Sequence, residues 1–274
     1  MNARTDGAIW LFDLGNSRLK GAWLRGRELA RRFALTWHAP DTGSEAGAGF
    51  DAELQVRLAR WPAPSRVLVA SVAADSRADR LRVALQAWPQ AQMEWLRSPR
   101  QGCGITSHYR VPERLGVDRF LAMAAARAEA NEAGVIVAGC GTALTLDAVD
   151  ARGAQREGVI APSPGLMLRS LQEATAIADA SRDAFAPAAA DDTARALREG
   201  CTRSSATLVA WYCAQQRAAM GDDVPVYLHG GWAESLRVML EEDPRGARVH
   251  LLEHAVLRGL AIWAEDRETG SDRS

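Results

Sequence analysis

The first residues suited to chemistry form a turn that reads Asp-Leu-Gly-Asn-Ser-Arg-Leu-Lys over positions 13–20. A carboxylate such as that of Asp13, at the end of a predicted strand, can hold Mg²⁺ directly or through water. Gly15 lets the backbone approach a ligand without a Cβ clash, and the amide, hydroxyl and N–H groups after it can donate to phosphate oxygens. Lys20, the only lysine among 33 basic residues, can neutralise the remaining charge. The turn suits a phosphate ligand, although an ordinary Asx-type hairpin turn has the same residue types.

A second group, at positions 109–119, combines an aromatic ring with an acid and a cation. The segment ends Gly-Val-Asp-Arg, and Gly116 precedes a predicted helix, so Asp118 and Arg119 lie in the first helical turn. Asp118 can accept a hydroxyl proton, while Arg119 can bind an anionic substrate. An acid in a first turn is also favourable simply because of the helix dipole. The residues by themselves leave both interpretations open.

Two further turns are rich in small residues and follow predicted strands. They read Gly-Cys-Gly-Thr-Ala at 139–143 and His-Gly-Gly-Trp-Ala at 229–233. Three such open turns are what a nucleotide site between related halves requires. The sequence has neither a G-x-x-x-x-G-K-[ST] P-loop nor a G-x-G-x-x-G after a strand. The H-x-x-E-H pattern at 250–254 needs one continuous helix, and here it straddles a predicted strand–helix junction, so a zinc site is disfavoured.

Strands and helices alternate along the chain, which predicts an α/β fold. The predicted strands cover residues 9–14, 19–24, 28–33, 66–72, 93–96, 135–138, 143–149, 157–161, 224–228 and 248–252. The predicted helices cover residues 54–61, 81–88, 118–132, 164–171, 193–220, 233–241 and 256–265. Thr193 is the predicted N-cap of the longest helix, and residues 40–49 and 186–192 are predicted loops.

One arrangement occurs twice in the chain. A strand, a small-residue turn and a return strand are found at residues 9–24 and again at 135–149, with Gly15 matching Gly141, 126 positions later. Two copies of one unit predict a duplicated chain with a cleft between its halves. The two predicted domains are residues 1–115 and 116–274.

Composition excludes several classes of protein. The 274 residues are 47% apolar and 24% charged, as in ordinary globular proteins, so disordered, collagen-like and coiled-coil chains are excluded. The net charge of -1 argues against a general nucleic-acid or membrane-surface binder. No apolar run reaches the roughly 20 residues of a membrane span, and the first residues lack the apolar core of a signal peptide. Four cysteines without a C-x-x-C pair favour a reduced, cytoplasmic protein.

The motifs, and the order in which they occur along the chain, resemble those of the type III pantothenate kinases. This family belongs to the superfamily of acetate kinase, sugar kinases and actin. The turn at 13–20 is similar to the family's D-x-G-N-[ST] phosphate loop, and Tyr109 with residues 116–119 is similar to its G-x-D-R pantothenate motif. Residues 141–147 are similar to its G-T-A-x-T-x-D loop, and 192–193 to its Asn-Thr pair. The resemblance covers nearly the whole chain and implies a duplicated ribonuclease H-like (actin-like ATPase) fold with two domains.

The resemblance also implies an activity and a set of site residues. The activity is ATP-dependent phosphorylation of pantothenate at its terminal hydroxyl, the first step of coenzyme A biosynthesis, by a cytoplasmic homodimer that uses Mg²⁺. Asp118 is implied as the general base, and Asp13 as the residue that holds the metal. The implied nucleotide-binding residues are Asp13, Leu14, Gly15, Asn16, Ser17, Arg18, Leu19, Lys20, Gly141 and Thr142. The implied pantothenate-binding residues are Tyr109, Gly116, Val117, Arg119 and Thr193, the threonine acting from the other subunit.

The chain departs from the family's pattern at Gly139, which matches Asp13 in the internal repeat. Many members carry an acid there, and that acid supports a monovalent cation such as K⁺, so a K⁺ requirement is in doubt for this chain. Two other functions remain open. One is a regulatory, transcription-linked role like that of the family's Bvg accessory factors, and the other is phosphorylation of a different small molecule. The retention of Asp13 and Asp118 favours an active enzyme.

Overall fold

The computed structural model describes residues 7–37, 44–175, 192–242 and 249–271. Most of the loop predicted at 186–192, and the first part of the loop predicted at 40–49, lie outside the described residues. The rest of the loop predicted at 40–49 is helical instead, because the first helix already begins at Ser44. The predicted alternation of strands and helices is confirmed.

The first sheet is built around the strand that leads into the 13–20 turn. Its strands are β1 (Ala8–Leu14), β2 (Arg18–Arg25), β3 (Glu28–Thr36), β4 (Pro64–Ser71) and β5 (Gln92–Leu96), in the order β3-β2-β1-β4-β5. β1, β2 and β3 form an antiparallel meander, whereas β4 and β5 run parallel to β1. β1 is central and buried over its last five residues, as expected for a near-continuous apolar strand covered on both faces.

The connections of the first half are mostly helical. Helices α1 (Ser44–Leu58) and α2 (Asp75–Leu85) flank β4 in the chain, and two short strands, β6 (Gln101–Gly102) and β7 (Ile105–Thr106), follow β5. Helix α3 (Val117–Glu129) then begins immediately after Gly116. Its start therefore coincides with the predicted Gly-Val-Asp-Arg helix start.

The second sheet repeats the first. Its strands are β8 (Val135–Cys140), β9 (Ala143–Val149), β10 (Val159–Pro162), β11 (Val226–His229) and β12 (Val249–Leu251), in the order β10-β9-β8-β11-β12. Again, an antiparallel meander of three strands is extended by two parallel strands. The helices of this half are α4 (Pro164–Ala174), α5 (Thr193–Met220) and α6 (Ala233–Glu242), and α7 (Ala255–Ser271) ends the described chain. The matching strand orders confirm the predicted duplication.

Each sheet has its own hydrophobic core. In the first, Trp10, Phe12 and Trp61 pack together with ring centroids 5.2 to 6.4 Å apart, and Trp88 packs on Trp10 at 4.6 Å. In the second, Tyr212 and its neighbours on α5 are buried against the sheet. These tryptophans therefore lie in the core of the first sheet or pack against it.

The chain divides into two compact units. One consists of Met1–Cys103, Tyr109–Leu121 and Val256–Ser274, and the other of Gly104–His108 and Ala122–Ala255. The C-terminal helix thus groups with the first sheet rather than with the second. The units are not the same sets of residues as the domains expected from sequence, and the domain boundary after residue 115 and the cleft stay predictions.

Two other local predictions are also wrong. The N-cap of α5 is Asp192, whose carboxylate accepts a hydrogen bond from the Arg195 N–H at 2.7 Å, so Thr193 is the first helical residue instead. Helix α2 ends at Leu85 rather than continuing to Trp88. Trp88 lies in the turn beyond the helix, where its indole packs on Trp10. Among the described residues, the helices are too short or too polar to cross a membrane.

Candidate active site

The 13–20 turn is held by a hairpin that brings an acid and a cation together. Asp13 and Lys20 are direct partners in the antiparallel pairing of β1 with β2. The hairpin therefore places Lys20 Nζ 2.9 Å from Asp13 Oδ2, although seven residues separate them in the chain. Asp13 is buried, whereas Lys20 is half-buried and reaches solvent. The pair presents a fixed positive charge and an oriented carboxylate at the end of β1.

The residues between Asp13 and Lys20 divide into buried and exposed groups. The side chains of Leu14 and Leu19 are buried in the core, so these two can contact a ligand only through their backbone. Asn16, Ser17 and Arg18 are exposed. The Gly15 N–H closes the turn by donating to the Arg18 carbonyl at 3.0 Å. The exposed part of the turn is thus the part with amide, hydroxyl and guanidinium donors.

The 109–119 segment places its acid at the N-terminus of α3. Asp118 Oδ1 accepts a hydrogen bond from the Arg119 N–H at 2.8 Å. A Cβ at Gly116 would lie 2.6 Å from the same oxygen, so a larger residue there would displace the carboxylate. Asp118 is half-buried and Val117 is buried. The glycine of the Gly-Val-Asp-Arg motif therefore makes room for its aspartate.

Arg119 links the acid to the aromatic ring. Its side chain is buried, and its Nη1 donates to the Tyr109 hydroxyl at 2.9 Å. Its guanidinium carbon lies 5.8 Å from the centre of the Tyr109 ring, within the range of a cation–π contact. Tyr109, Asp118 and Arg119 are thus brought together, as the sequence predicts.

Arg100 is a residue of this group that sequence reasoning missed. Its Nη1 and Nη2 donate to the backbone carbonyls of Tyr109 and Arg110 at 2.6 and 2.9 Å. This fork fixes the loop that carries the Tyr109 ring. In a chain where nearly every basic residue is arginine, nothing in the sequence distinguishes Arg100 from the others.

The second turn connects β8 to β9 in the other unit. Gly141 and Thr142 are exposed, and the Gly141 N–H donates to the Ala143 carbonyl at 3.0 Å. The Ser163 hydroxyl donates to the Thr142 carbonyl at 2.9 Å and also caps α4. The turn is therefore anchored while its outer surface stays open to a ligand.

The third turn wraps around the second. Gly230 has a φ of +102°, and a Cβ there would lie 2.5 Å from the Cys140 carbonyl oxygen. The Trp232 N–H donates to that oxygen at 3.0 Å. Burial raises the pKa of the Cys140 thiol to about 12, so this cysteine is not a nucleophile at neutral pH. The glycine is needed for close packing of the two turns.

Gly139 is enclosed by side chains from both neighbouring strands. A Cβ on it would lie 2.5 Å from Thr145 Oγ1 and 3.0 Å from His229 Nε2. These contacts follow from the register, since Gly139 is paired with Thr145 on β9 and with His229 on β11. The position matched to Asp13 in the first sheet therefore has no room for an acid without movement of its neighbours.

Three other residues that the sequence singled out, Thr193, His250 and His254, belong neither to the 13–20 turn nor to the group at 109–119. Thr193 is exposed at the start of α5 and belongs to the second unit. His250 lies in β12, whereas His254 precedes α7, so the two histidines do not share the helix that the zinc pattern needs. Within the described ranges, no group of three or more His, Cys, Asp or Glu side chains is arranged to hold a metal ion.

Known proteins with similar sequences belong to the family that the motifs of this chain resemble. A sequence model of the type III pantothenate kinase family matches residues 9–215. A protein of Xanthomonas axonopodis pv. citri named type III pantothenate kinase is 36% identical over 255 residues, which cover 93% of this chain and 96% of that protein.

Two solved structures share the fold at low sequence identity. A Campylobacter jejuni protein described as a Baf family transcriptional activator has a TM-score of 0.55 at 15% identity, covering 95% of this chain and 99% of that one. A propionate kinase from Francisella tularensis has a TM-score of 0.51 at 11% identity, covering 96% and 99%. The predicted duplicated ribonuclease H-like fold is confirmed.

Proposed function

Because the chain belongs to the type III pantothenate kinase family, we propose that it transfers the γ-phosphoryl group of ATP to the terminal hydroxyl of pantothenate. The product is 4'-phosphopantothenate, and the reaction is the first step of coenzyme A biosynthesis. The observation that carries the proposal is the cluster of Asp118, Arg119 and Tyr109 at the start of α3. It combines a proton acceptor, a cation for a carboxylate substrate and an aromatic wall.

In this proposal Asp118 is the general base. Its carboxylate is held at the N-terminus of α3 by the Arg119 N–H, with Gly116 leaving space beside it. It accepts the proton of the pantothenate hydroxyl as the oxygen attacks the γ-phosphorus. Because phosphoryl transfer depends on alignment and charge neutralisation more than on a strong base, one positioned carboxylate is sufficient.

Arg119 and Tyr109 bind pantothenate, together with Gly116 and Val117. The guanidinium of Arg119 pairs with the carboxylate of the substrate, since a planar cation suits a carboxylate. Its hydrogen bond to the Tyr109 hydroxyl restricts its rotation. Val117 is buried and would contribute its backbone rather than its side chain.

The 13–20 turn binds the nucleotide. The exposed donors of Asn16, Ser17 and Arg18 bind phosphate oxygens, as does the Lys20 ammonium, which already lies 2.9 Å from the Asp13 carboxylate. Leu14, Gly15 and Leu19 contribute backbone. Gly141 and Thr142 of the second unit bind the nucleotide as well, an assignment that rests on their motif and on the exposure of their turn.

The residues at Asp13 fit a magnesium ion. Mg²⁺ in phosphate-transfer sites takes one or two carboxylates and completes its shell with water and phosphate oxygens, so the single buried carboxylate of Asp13 is sufficient. We propose that Asp13 holds the ion through water. When bound, the ion neutralises charge on the transferred phosphate.

Three further properties complete the proposal. We expect little dependence on K⁺, because Thr145 and His229 enclose Gly139. We expect a homodimer in which Thr193 reaches the partner's pantothenate. We also expect a cytoplasmic location, which suits four buried cysteines that form no disulfides.

The deciding experiment measures ADP release from ATP by the purified chain with and without pantothenate. We expect release to depend on pantothenate, and the Asp118→Asn variant to lower turnover by about 10²- to 10⁴-fold, the range for a positioned acid or base. Asp79→Asn makes the same change at an exposed aspartate of the first unit and should leave turnover unchanged. Pantothenate-independent ADP release, or full activity of Asp118→Asn, would contradict the proposal.

A further inference from the structure

Five consecutive carbonyl oxygens of the 13–20 turn, those of residues 14–18, each accept a hydrogen bond. The Leu14 carbonyl accepts from the Val72 N–H at 3.2 Å, and the Arg18 carbonyl from the Gly15 N–H at 3.0 Å. These two bonds extend the β1–β4 pairing and close the hairpin. The three carbonyls between them are bound from outside the hairpin.

Two residues supply all three of those donors. The Trp37 indole Nε1–H donates to the Gly15 carbonyl at 2.9 Å, and the Trp37 backbone N–H donates to the Ser17 carbonyl at 3.1 Å. Arg77 Nη1 donates to the Asn16 carbonyl. Trp37 directly follows β3, and Arg77 lies in the first turn of α2. Neither residue belongs to the motif that they bind.

Both donors are themselves held in place. The Trp37 ring stacks on Phe50 with centroids 4.3 Å apart and is 8% exposed. The guanidinium carbons of Arg77 and Arg80 lie 5.6 and 5.8 Å from the Trp37 ring centre, and Arg80 pairs with Asp51 at 2.9 Å. A rigid donor fixes its acceptor better than a mobile one, so the turn is constrained from its own carbonyl side.

The hydrogen bonds to these carbonyls affect how the turn binds a phosphate. Carbonyl oxygens carry partial negative charge and repel phosphate oxygens, whereas N–H groups attract them. Donors that occupy the carbonyls offset this charge and stop the peptide planes from rotating. The cost of ordering the turn is then met on folding rather than on nucleotide binding.

We propose that Trp37 and Arg77 are positioning residues that pre-form the 13–20 turn for the polyphosphate of the nucleotide. The inference rests on the proposed function of that turn. Neither residue needs to touch the nucleotide. Their contribution should appear in nucleotide affinity and should be absent from the binding of the alcohol substrate.

The test uses full-length variants that remove single donors. Trp37→Phe removes the indole N–H and keeps an aromatic ring, and Arg77→Met removes the guanidinium and keeps the apolar stem. We expect each to weaken ATP binding, measured by titration calorimetry with Mg²⁺ and no pantothenate, by about 3- to 10-fold, the equivalent of one hydrogen bond. The KM for ATP should rise by the same factor with the KM for pantothenate unchanged, and Arg77→Lys should restore part of the loss.

Trp10→Phe is the matched control. Trp10 lies in the same core, is fully buried, and its Nε1–H donates to the Pro62 carbonyl at 2.9 Å. This variant also loses one indole–carbonyl hydrogen bond, but away from the turn, so its ATP affinity should equal that of the wild type. Arg82→Met, an exposed arginine of α2 stacked at 4.3 Å on Trp95, is the control for Arg77.

The possible outcomes are distinct. Wild-type ATP affinity in both Trp37→Phe and Arg77→Met would overturn the inference, and so would an equal loss in the two controls, since a general loss of stability would explain it. If Trp37→Phe fails to fold, the two Arg77 variants decide, because that side chain is only half-buried. A wild-type chain that binds ATP without phosphorylating pantothenate would refute the proposed function alone, and the ATP affinities would still decide this inference.

Discussion

At the scale of single residues, Lys20 is the side chain whose removal is most informative. Its ammonium lies 2.9 Å from the buried Asp13 carboxylate and, in the proposed function, also neutralises the phosphates. We expect Lys20→Met to raise the KM for ATP by about 10- to 100-fold, the range for a hydrogen bond to a charged group. Steady-state kinetics with ATP varied at saturating pantothenate measures this effect.

The replacement Lys20→Arg separates charge from shape. A guanidinium is a wide planar fork, whereas an ammonium is a compact point charge, so we expect Lys20→Arg to recover only part of the ATP affinity. Arg25→Met, an exposed cation at the other end of β2, should behave as wild type. An unchanged KM for ATP in Lys20→Met would remove this residue from the nucleotide site.

The sequence shows some of these residues and conceals others for physical reasons. Asp13 and Lys20 share a hairpin, so their pairing follows from a local register. Trp37 and Arg77 reach the same turn from 22 and 61 residues away in the chain. Such contacts depend on tertiary packing, and tryptophan and arginine are too frequent here for either residue to be singled out.

At the scale of elements, the three strands β8, β9 and β11 make a prediction about ions. Thr145 and His229 converge on Gly139 from the flanking strands, at 2.5 and 3.0 Å from the position of a Cβ. The acid that supports a monovalent cation in many family members is absent here, and the strands as they stand leave no room for one. We therefore expect the same kcat in K⁺, Na⁺ or an organic cation at constant ionic strength. A strong requirement for K⁺ would contradict this expectation.

The same packing predicts the effect of restoring an acid. Gly139→Asp should lower the free energy of unfolding by about 1 to 3 kcal/mol, as overpacking does, and should not create a K⁺ requirement. Urea denaturation measures the change. Gly141→Ala is the matched control for stability, because a Cβ at Gly141 would meet nothing within 4 Å. Equal stabilities of the two variants would show that the strands adjust easily.

The starts of α3 to α7 were predicted to within one residue, whereas α1 and α2 begin ten and six residues before their predicted starts. The start of α3 follows Gly116, whose lack of a Cβ makes room for Asp118, so motif and geometry agree there. At α5 the side chain that caps the helix is that of Asp192, one residue before the predicted Thr193. Both residue types are good N-caps, so the sequence could not decide between neighbours. Helix α2 ends at Leu85, and the predicted last residue, Trp88, instead makes a tertiary contact with Trp10.

At the scale of the whole molecule, the duplication was visible in the sequence because the two turns repeat at a fixed distance. The grouping of α7 with the first sheet was not visible. It depends on contacts such as the hydrogen bond from Trp263 Nε1 to Glu94 at 3.1 Å and the ion pair of Arg27 with Glu265 at 2.9 Å. Residues so far apart in the chain leave no periodic signal in a single sequence.

The exposed surface of the second unit provides the last prediction, which concerns assembly. Large apolar side chains are exposed on β10, α4 and α5, and α4 packs against both of the other two elements. They are Ile160 (63% exposed), Leu166 (37%), Leu171 (42%) and Trp211 (52%). A group of such residues on adjoining elements is typical of a protein interface. We expect a dimer of twice the 29.6 kDa chain by light scattering.

Trp211→Glu should convert that dimer to a monomer, because a charge within an apolar interface is costly to desolvate. Val83→Glu, at a valine of α2 in the first unit that is even more exposed than Trp211, should leave the dimer intact. If Thr193 acts on the partner's pantothenate, the monomer should also have a higher KM for pantothenate with an unchanged affinity for ATP. A fully active monomer would place the whole pantothenate site within one chain and would remove Thr193 from it.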